Sequence, residues 1–389
     1  MTAGTMEKPG NRVNEIDFLR IAAVSGVVFF HYTFRGFTAS SMSVMPYPEL
    51  SHVSKYGYLG VYLFFMISGF VILMTAAAGQ FRKFVISRCV RLYPAFWICC
   101  TLTFILTVAA GAPRFHASFG QYAINLTLMS QFVGVPSIDG AYWSLFVEIQ
   151  FYAIVAFIIL IGQIARIQPL LFAWLLISTF APLLSNGILE RIFITSYAPF
   201  FMAGAAYYLI WRHGLSAARL FIVGGSWCLG VRELMNVQVK LEGIFQTAMD
   251  PFVTIGILTS FHLVFLLISL RKTGTFGAMR WTVAGAATYP LYLLHENIGF
   301  ITFNLAWPAI NRHILLWVTI AVMIVMAHAV HVAAERALLV PLRAALTSLF
   351  ESGPVFICRR WLFQAMGRPG VGSAVGSAVG LAGDGSSPG

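Results

Sequence analysis

Apolar positions along this chain fall into long runs separated by short polar and basic segments. A run must supply about 20 apolar residues to cross the hydrocarbon core of a bilayer, and only a helix satisfies its own backbone there. Ten runs qualify, near residues 16–35, 58–78, 92–110, 141–162, 169–185, 195–211, 218–235, 250–270, 283–305 and 314–335. They predict an all-α integral membrane fold, a polytopic bundle of about ten transmembrane helices. The first run follows Asn14-Glu15-Ile16-Asp17-Phe18-Leu19-Arg20 and lacks a small-residue cleavage site, so it reads as a retained helix and not a removable signal peptide.

Composition agrees with the pattern. The 389 residues are 59% hydrophobic and only 10% charged, with a mean hydropathy of +0.80, which excludes a soluble domain. A net charge of +11 does not imply nucleic acid, because the basic residues sit in short clusters between apolar runs and form no contiguous groove. They read instead as a topology signal. With the N-terminus inside, eighteen Lys and Arg fall on the cytoplasmic side and seven on the other, so both termini are expected in the cytoplasm. The five cysteines have no metal-ligand spacing, and no metal site is expected. Residues 1–13 form a cytoplasmic N-terminal segment and 341–366 a cytoplasmic C-terminal one. The tail 367–389, built from Gly, Ser, Ala and Val, is expected to be disordered. The loops at 36–57 and 111–140 lie on the outer side and are long enough to cover an outward-facing site.

Ionisable side chains inside a spanning helix are costly and are functional candidates. His31, Glu148, His295 and Glu296 stand out. Arg20 precedes His31 by eleven residues, about 20° past three full turns and roughly 16 Å of rise, so the two share a helix face. An anionic ligand head at Arg20 with its reactive end at a basic His31 is one reading. A positive-inside arginine and a packed interface histidine is the other. Arg88 and Arg91, three apart, can reach one bound group if the segment is helical, and forked guanidinium donors suit phosphates. A topology signal accounts for them as well. Glu148, in Tyr142-Trp143-Ser144-Leu145-Phe146-Val147-Glu148, needs a partner, either an imidazole that it orients or backbone and water. Tyr142 and Trp143 suit either stacking against a sugar ring or anchoring at the membrane interface. A secondary transporter would show two similar halves, and no such repeat is present.

Together these segments resemble the acyltransferase-3 family of membrane enzymes. Phe18-Leu19-Arg20 through Phe30-His31 resembles the family's opening stretch with its Arg-x10-His spacing, although the glycines that usually flank the arginine are absent. Gly60-Val61-Tyr62-Leu63-Phe64-Phe65-Met66-Ile67-Ser68-Gly69-Phe70 is similar to its second-helix signature. Arg88-Cys89-Val90-Arg91 and Trp143-Ser144-Leu145-Phe146-Val147-Glu148 match its Arg-x-x-Arg and Trp-Ser-Leu-x-x-Glu motifs. Thr288 to His295 and Glu335-Arg336-Ala337-Leu338 are looser landmarks.

The resemblance covers 14–340 and implies an O-acyltransferase without a C-terminal hydrolase-like domain, acting alone or with a separate acyl-transfer partner protein. It implies acyl-CoA, most often acetyl-CoA, as donor substrate and no bound cofactor. The acceptor hydroxyl is expected on an extracytoplasmic or lipid-linked glycan, with a macrolide-like small molecule as the alternative and a non-catalytic flippase as another. On this reading Arg20, Arg88 and Arg91 bind the donor phosphates, and His31 is the base or an acyl carrier. Glu148 orients His31, while Tyr142, Trp143 and His295 meet the acceptor. The expected location is the cytoplasmic (inner) membrane.

Overall fold

The computed structural model describes residues 13–38, 42–184, 187–279 and 281–352. Nearly all of the expected segment 1–13, the later part of 341–366 with Cys358, and the tail 367–389 lie outside the described residues. Among them every regular element is a helix. The longer helices are α1, Asn14–Phe30; α2, Leu59–Ala76; α3, Phe81–Ala110; α4, Trp143–Leu160; α5, Ile167–Phe180; α6, Ala198–His213; α7, Ala217–Phe245; α8, Pro251–Ser269; α9, Thr282–Ala306; and α10, Arg312–Ala333. Each overlaps one of the ten predicted runs.

Six stretches among the described residues are long and apolar enough to cross a membrane: Asn14–Thr38, Pro48–Ala76, Phe81–Ala110, Gly140–Leu160, Pro251–Ser269 and one that begins at Arg312. The chain is a multi-pass membrane protein. The other four helices fall short for local reasons. Helices α5 and α6 have only 14 and 16 residues. Helix α7 carries Arg219, Arg232, Glu233, Lys240 and Glu242, and α9 mixes Thr, Tyr, His, Glu and Asn into its apolar sequence.

Helix α6 is the centre of the packing. Ala198 through Ile210 are all buried, as expected of a helix that is apolar all round, and α2, α5, α7 and α8 pack on it. Its Ala203-Gly204-Ala205-Ala206 stretch lets α2 come close. A β-carbon on Gly204 would run into the Met66 carbonyl, and one on Gly69 into the Phe201 carbonyl, the close backbone approach that small residues allow in membranes. Helix α1 packs on α2 and α9, and α9 on α3 and α10. The helix Leu339–Ser352 belongs to a separate unit and is largely exposed.

Three local features place the candidate residues. Helix α3 begins at Phe81, eleven residues before the predicted run, so Arg88 and Arg91 stand on continuous helix. The α1 helix opens at His31 into a π-helical turn, His31–Arg35, a feature often found at functional sites. In the 111–140 loop, the buried Asn125 donates to the Pro136 carbonyl at 3.1 Å and accepts from the Ile138 N–H at 3.1 Å. That clamp delivers the next residue, Asp139, to the side of α9.

Candidate active site

Four charged or titratable side chains meet where α1 ends against the middle of α9. His31 Nδ1 lies 2.9 Å from the Val27 carbonyl and 3.0 Å from His295 Nε2. His31 Nε2 lies 3.4 Å from Glu296 Oε2. Arg35, one turn further along the π-helical segment, pairs with Glu296 Oε1. Glu296 is 1% exposed and His295 is fully buried. His295 Nδ1 is 2.8 Å from the Tyr292 carbonyl, and the Tyr32 hydroxyl donates to the His295 carbonyl at 2.7 Å.

These partners fix the tautomers. A carbonyl only accepts, so His295 Nδ1 carries the proton that it gives to Tyr292, and His295 Nε2 is left as an acceptor. His31 Nδ1 then holds a proton shared between His295 and Val27. In the neutral ring His31 Nε2 is then the lone pair, and the carboxylate oxygen facing it has no hydrogen-bond partner among the described residues. An imidazole lone pair beside a carboxylate has the chemistry of a base with a counter-ion at hand. Asp139, in the loop ahead of α4, accepts from the Ala141 N–H at 2.9 Å and the Asn297 N–H at 3.0 Å. Burial and the nearby Glu296 carboxylate push its carboxyl upward.

A second feature lies between α1, α2, α3, α4 and α9. It is a cavity of about 620 Å³, lined among others by Arg20, Arg88, Arg91, Glu148, Tyr152 and Tyr292, with the rest of its wall largely aliphatic and aromatic. Arg20 Nη1 donates to Asp17 at 2.8 Å, Arg88 lies over the Tyr152 ring at 5.9 Å, and Arg91 is exposed. Three guanidinium groups, one of them paired with Asp17, face a mostly apolar cavity, and such a set suits an anionic head with an uncharged arm. Among the described residues no three His, Cys, Asp or Glu side chains gather as metal ligands.

The structure therefore brings Arg20, Arg88, Arg91 and Glu148 to one cavity and His31 with His295 to another place, and the expected pair of His31 with Glu148 does not form. Glu148 Oε1 instead accepts from the Ser68 hydroxyl and the Tyr152 hydroxyl, each at 2.6 Å. The reason is helix register. Glu148 and Tyr152 are four apart on the face of α4 that meets α2, whereas α9 packs directly on α1 and supplies Glu296 to His31. His295 contacts no open space, and both its ring nitrogens are committed inside the protein. Tyr142 is buried with its ring 5.1 Å from Phe96, so it does not stand at an open outer mouth, and the half-buried Trp143 packs between Phe65 and Tyr197 at 6.2 and 5.6 Å.

Sequence reasoning flagged Glu296 as intramembrane but gave it no partner. It missed Arg35 and Asp139, and Arg35 lies 261 residues from the carboxylate that it meets. The only signal was a lone arginine in an outer segment, which charge counting absorbs. Against known proteins, a family model described as an acyltransferase domain matches residues 13–335. No curated protein and no solved structure matches the chain.

Proposed function

The chain belongs to the acyltransferase family whose domain spans residues 13–335, and on that premise we propose that it carries an acyl group from cytoplasmic acyl-CoA to a hydroxyl of an extracytoplasmic or lipid-linked glycan. The observation that carries this reading is the convergence of Arg20, Arg88 and Arg91 on one cavity whose wall residue Tyr292 also holds His295, and through it His31. The phosphates of the donor bind the guanidinium groups, and its uncharged arm follows the apolar wall toward Tyr292. His31 Nε2 takes the proton of the acceptor hydroxyl as the oxygen attacks the thioester carbonyl. The imidazolium is stabilised by Glu296, which Arg35 holds. The carbon–sulfur bond breaks, and the departing thiolate recovers a proton from His31, so the base returns to its starting state. His295 positions His31 by accepting from Nδ1.

Purified protein in vesicles is expected to release free CoA from acetyl-CoA only when an acceptor glycan is added. Arg88→Lys and Arg91→Lys keep the charge and lose the fork, so each is expected to raise the donor KM about 10-fold, the loss of one charge-assisted bond, with little change in kcat. Unchanged donor KM in both variants would leave these arginines as topology signals.

The orientation has its own test. A single cysteine placed at Ser137 in the 111–140 loop is expected to react with an impermeant thiol reagent in intact cells, while Cys358 as the single cysteine reacts only after lysis. The opposite pattern would put the arginine cavity on the wrong side for a cytoplasmic donor.

A further inference from the structure

Glu148 is a carboxylate with half of its capacity unused. Both of its hydrogen bonds, from Ser68 and Tyr152, fall on Oε1. No donor among the described residues reaches Oε2, although Arg20, Arg88 and Arg91 line the same cavity. A carboxylate oxygen accepts only, and the open side of this one is the cavity itself, where a donor on a bound ligand can reach it.

Its place along α4 says which part of a ligand passes it. Ser144, Glu148 and Tyr152 follow one another at four-residue intervals on one helix face, about 6 Å apart along the axis, and all three line the cavity. At one end Tyr152 lies beneath Arg88, with 5.9 Å between ring and guanidinium. At the other end the Ser144 hydroxyl is 2.8 Å from the Tyr292 hydroxyl, and Tyr292 holds His295. Glu148 stands midway between the arginine end and the Ser144–Tyr292 hydroxyl pair.

Resting on the acyl-CoA reading above, we propose that Glu148 Oε2 accepts an amide N–H of the donor's pantetheine arm, and that this contact selects pantetheine thioesters as the donor class. Phosphates and thioester present only acceptors, and a carboxylate repels the phosphates, which holds them at the arginine end. The stretch between them carries one hydroxyl, next to the phosphate end, and two secondary amides further along, each with one N–H that needs an acceptor once the arm leaves water; the amides are the donors that lie midway.

The test crosses enzyme variants with donor analogues. Steady-state transfer is measured for the full-length protein, for Glu148→Ala and for Glu148→Gln. The donors are acetyl-CoA and two synthetic analogues, each with one pantetheine amide replaced by an ester. The unmodified protein is expected to lose about 10- to 100-fold in kcat/KM with one of the two analogues. Glu148→Ala loses a similar factor with acetyl-CoA, mainly in KM, and little more when the two changes are combined. Glu148→Gln keeps an acceptor oxygen without the charge and shows a smaller ester penalty than the unmodified protein, which decides the matter if Glu148→Ala does not fold. Arg88→Ala serves as the control whose loss multiplies with that of the ester. If the losses from Glu148→Ala and the ester also multiply, or neither ester costs anything, Glu148 does not bind the arm. Failure of the unmodified protein to use acetyl-CoA at all would instead remove the acyl-CoA reading on which the proposal stands.

Discussion

His31→Ala is expected to lower turnover by roughly 10²- to 10⁴-fold, the contribution of one positioned acid or base, with membrane insertion intact. Glu296→Gln is expected to cost a comparable factor. A glutamine in that place still accepts from Arg35, but it cannot neutralise the imidazolium that forms when His31 takes the acceptor proton. The double variant should be little worse than either single one, because the two groups act as a unit. His31→Ala combined with Glu148→Gln should behave differently and multiply, since Glu148 faces the arginine-lined cavity and bonds to Ser68 and Tyr152. Single-turnover rates at saturating donor separate these cases. Multiplicative losses for His31 and Glu296, or a non-multiplicative result for His31 and Glu148, would return the orienting role to Glu148.

The largest stability effect is expected at Arg35. Glu296 is 1% exposed, and among the described residues its charged partner besides the His31 ring is the Arg35 guanidinium. Removing one member of a buried ion pair costs about 3–5 kcal/mol, because the surviving charge is left without compensation. Arg35→Ala should therefore lower the temperature of inactivation in detergent markedly. Adding Glu296→Gln to that background should recover most of the loss by removing the stranded charge, although activity stays low. Wild-type stability in Arg35→Ala would mean that the pair does not hold the end of α1 to α9.

Much of the architecture was readable along the chain, because a bilayer imposes a length and an apolarity on every segment that crosses it. Each of the ten runs overlaps a helix, and six stretches among the described residues are long and apolar enough to cross a membrane. The Arg-x-x-Arg spacing held once α3 proved to start at Phe81. Short-range geometry of this kind survives folding because it is set by the helix itself. Arg88, Arg91 and Glu148 were candidates on spacing and chemistry alone, and they do face one cavity.

Pairing between helices was a different matter. Nothing local distinguishes Glu148 from Glu296 as a partner for His31, since each is a carboxylate in an apolar helix. The choice is made by which helix packs on α1, and by a π-helical turn that brings both His31 and Arg35 to one oxygen pair. Asp139 joined the same cluster only because Asn125 clamps its loop against α9. The sequence by itself determined that the chain is a membrane-embedded helical bundle, and it marked the residue types that carry its chemistry, because hydropathy and helical period act over a few turns. The tertiary structure alone decided which charges neutralise each other, because burying a carboxylate in a low-dielectric interior makes its energy depend on contacts made across hundreds of residues of chain.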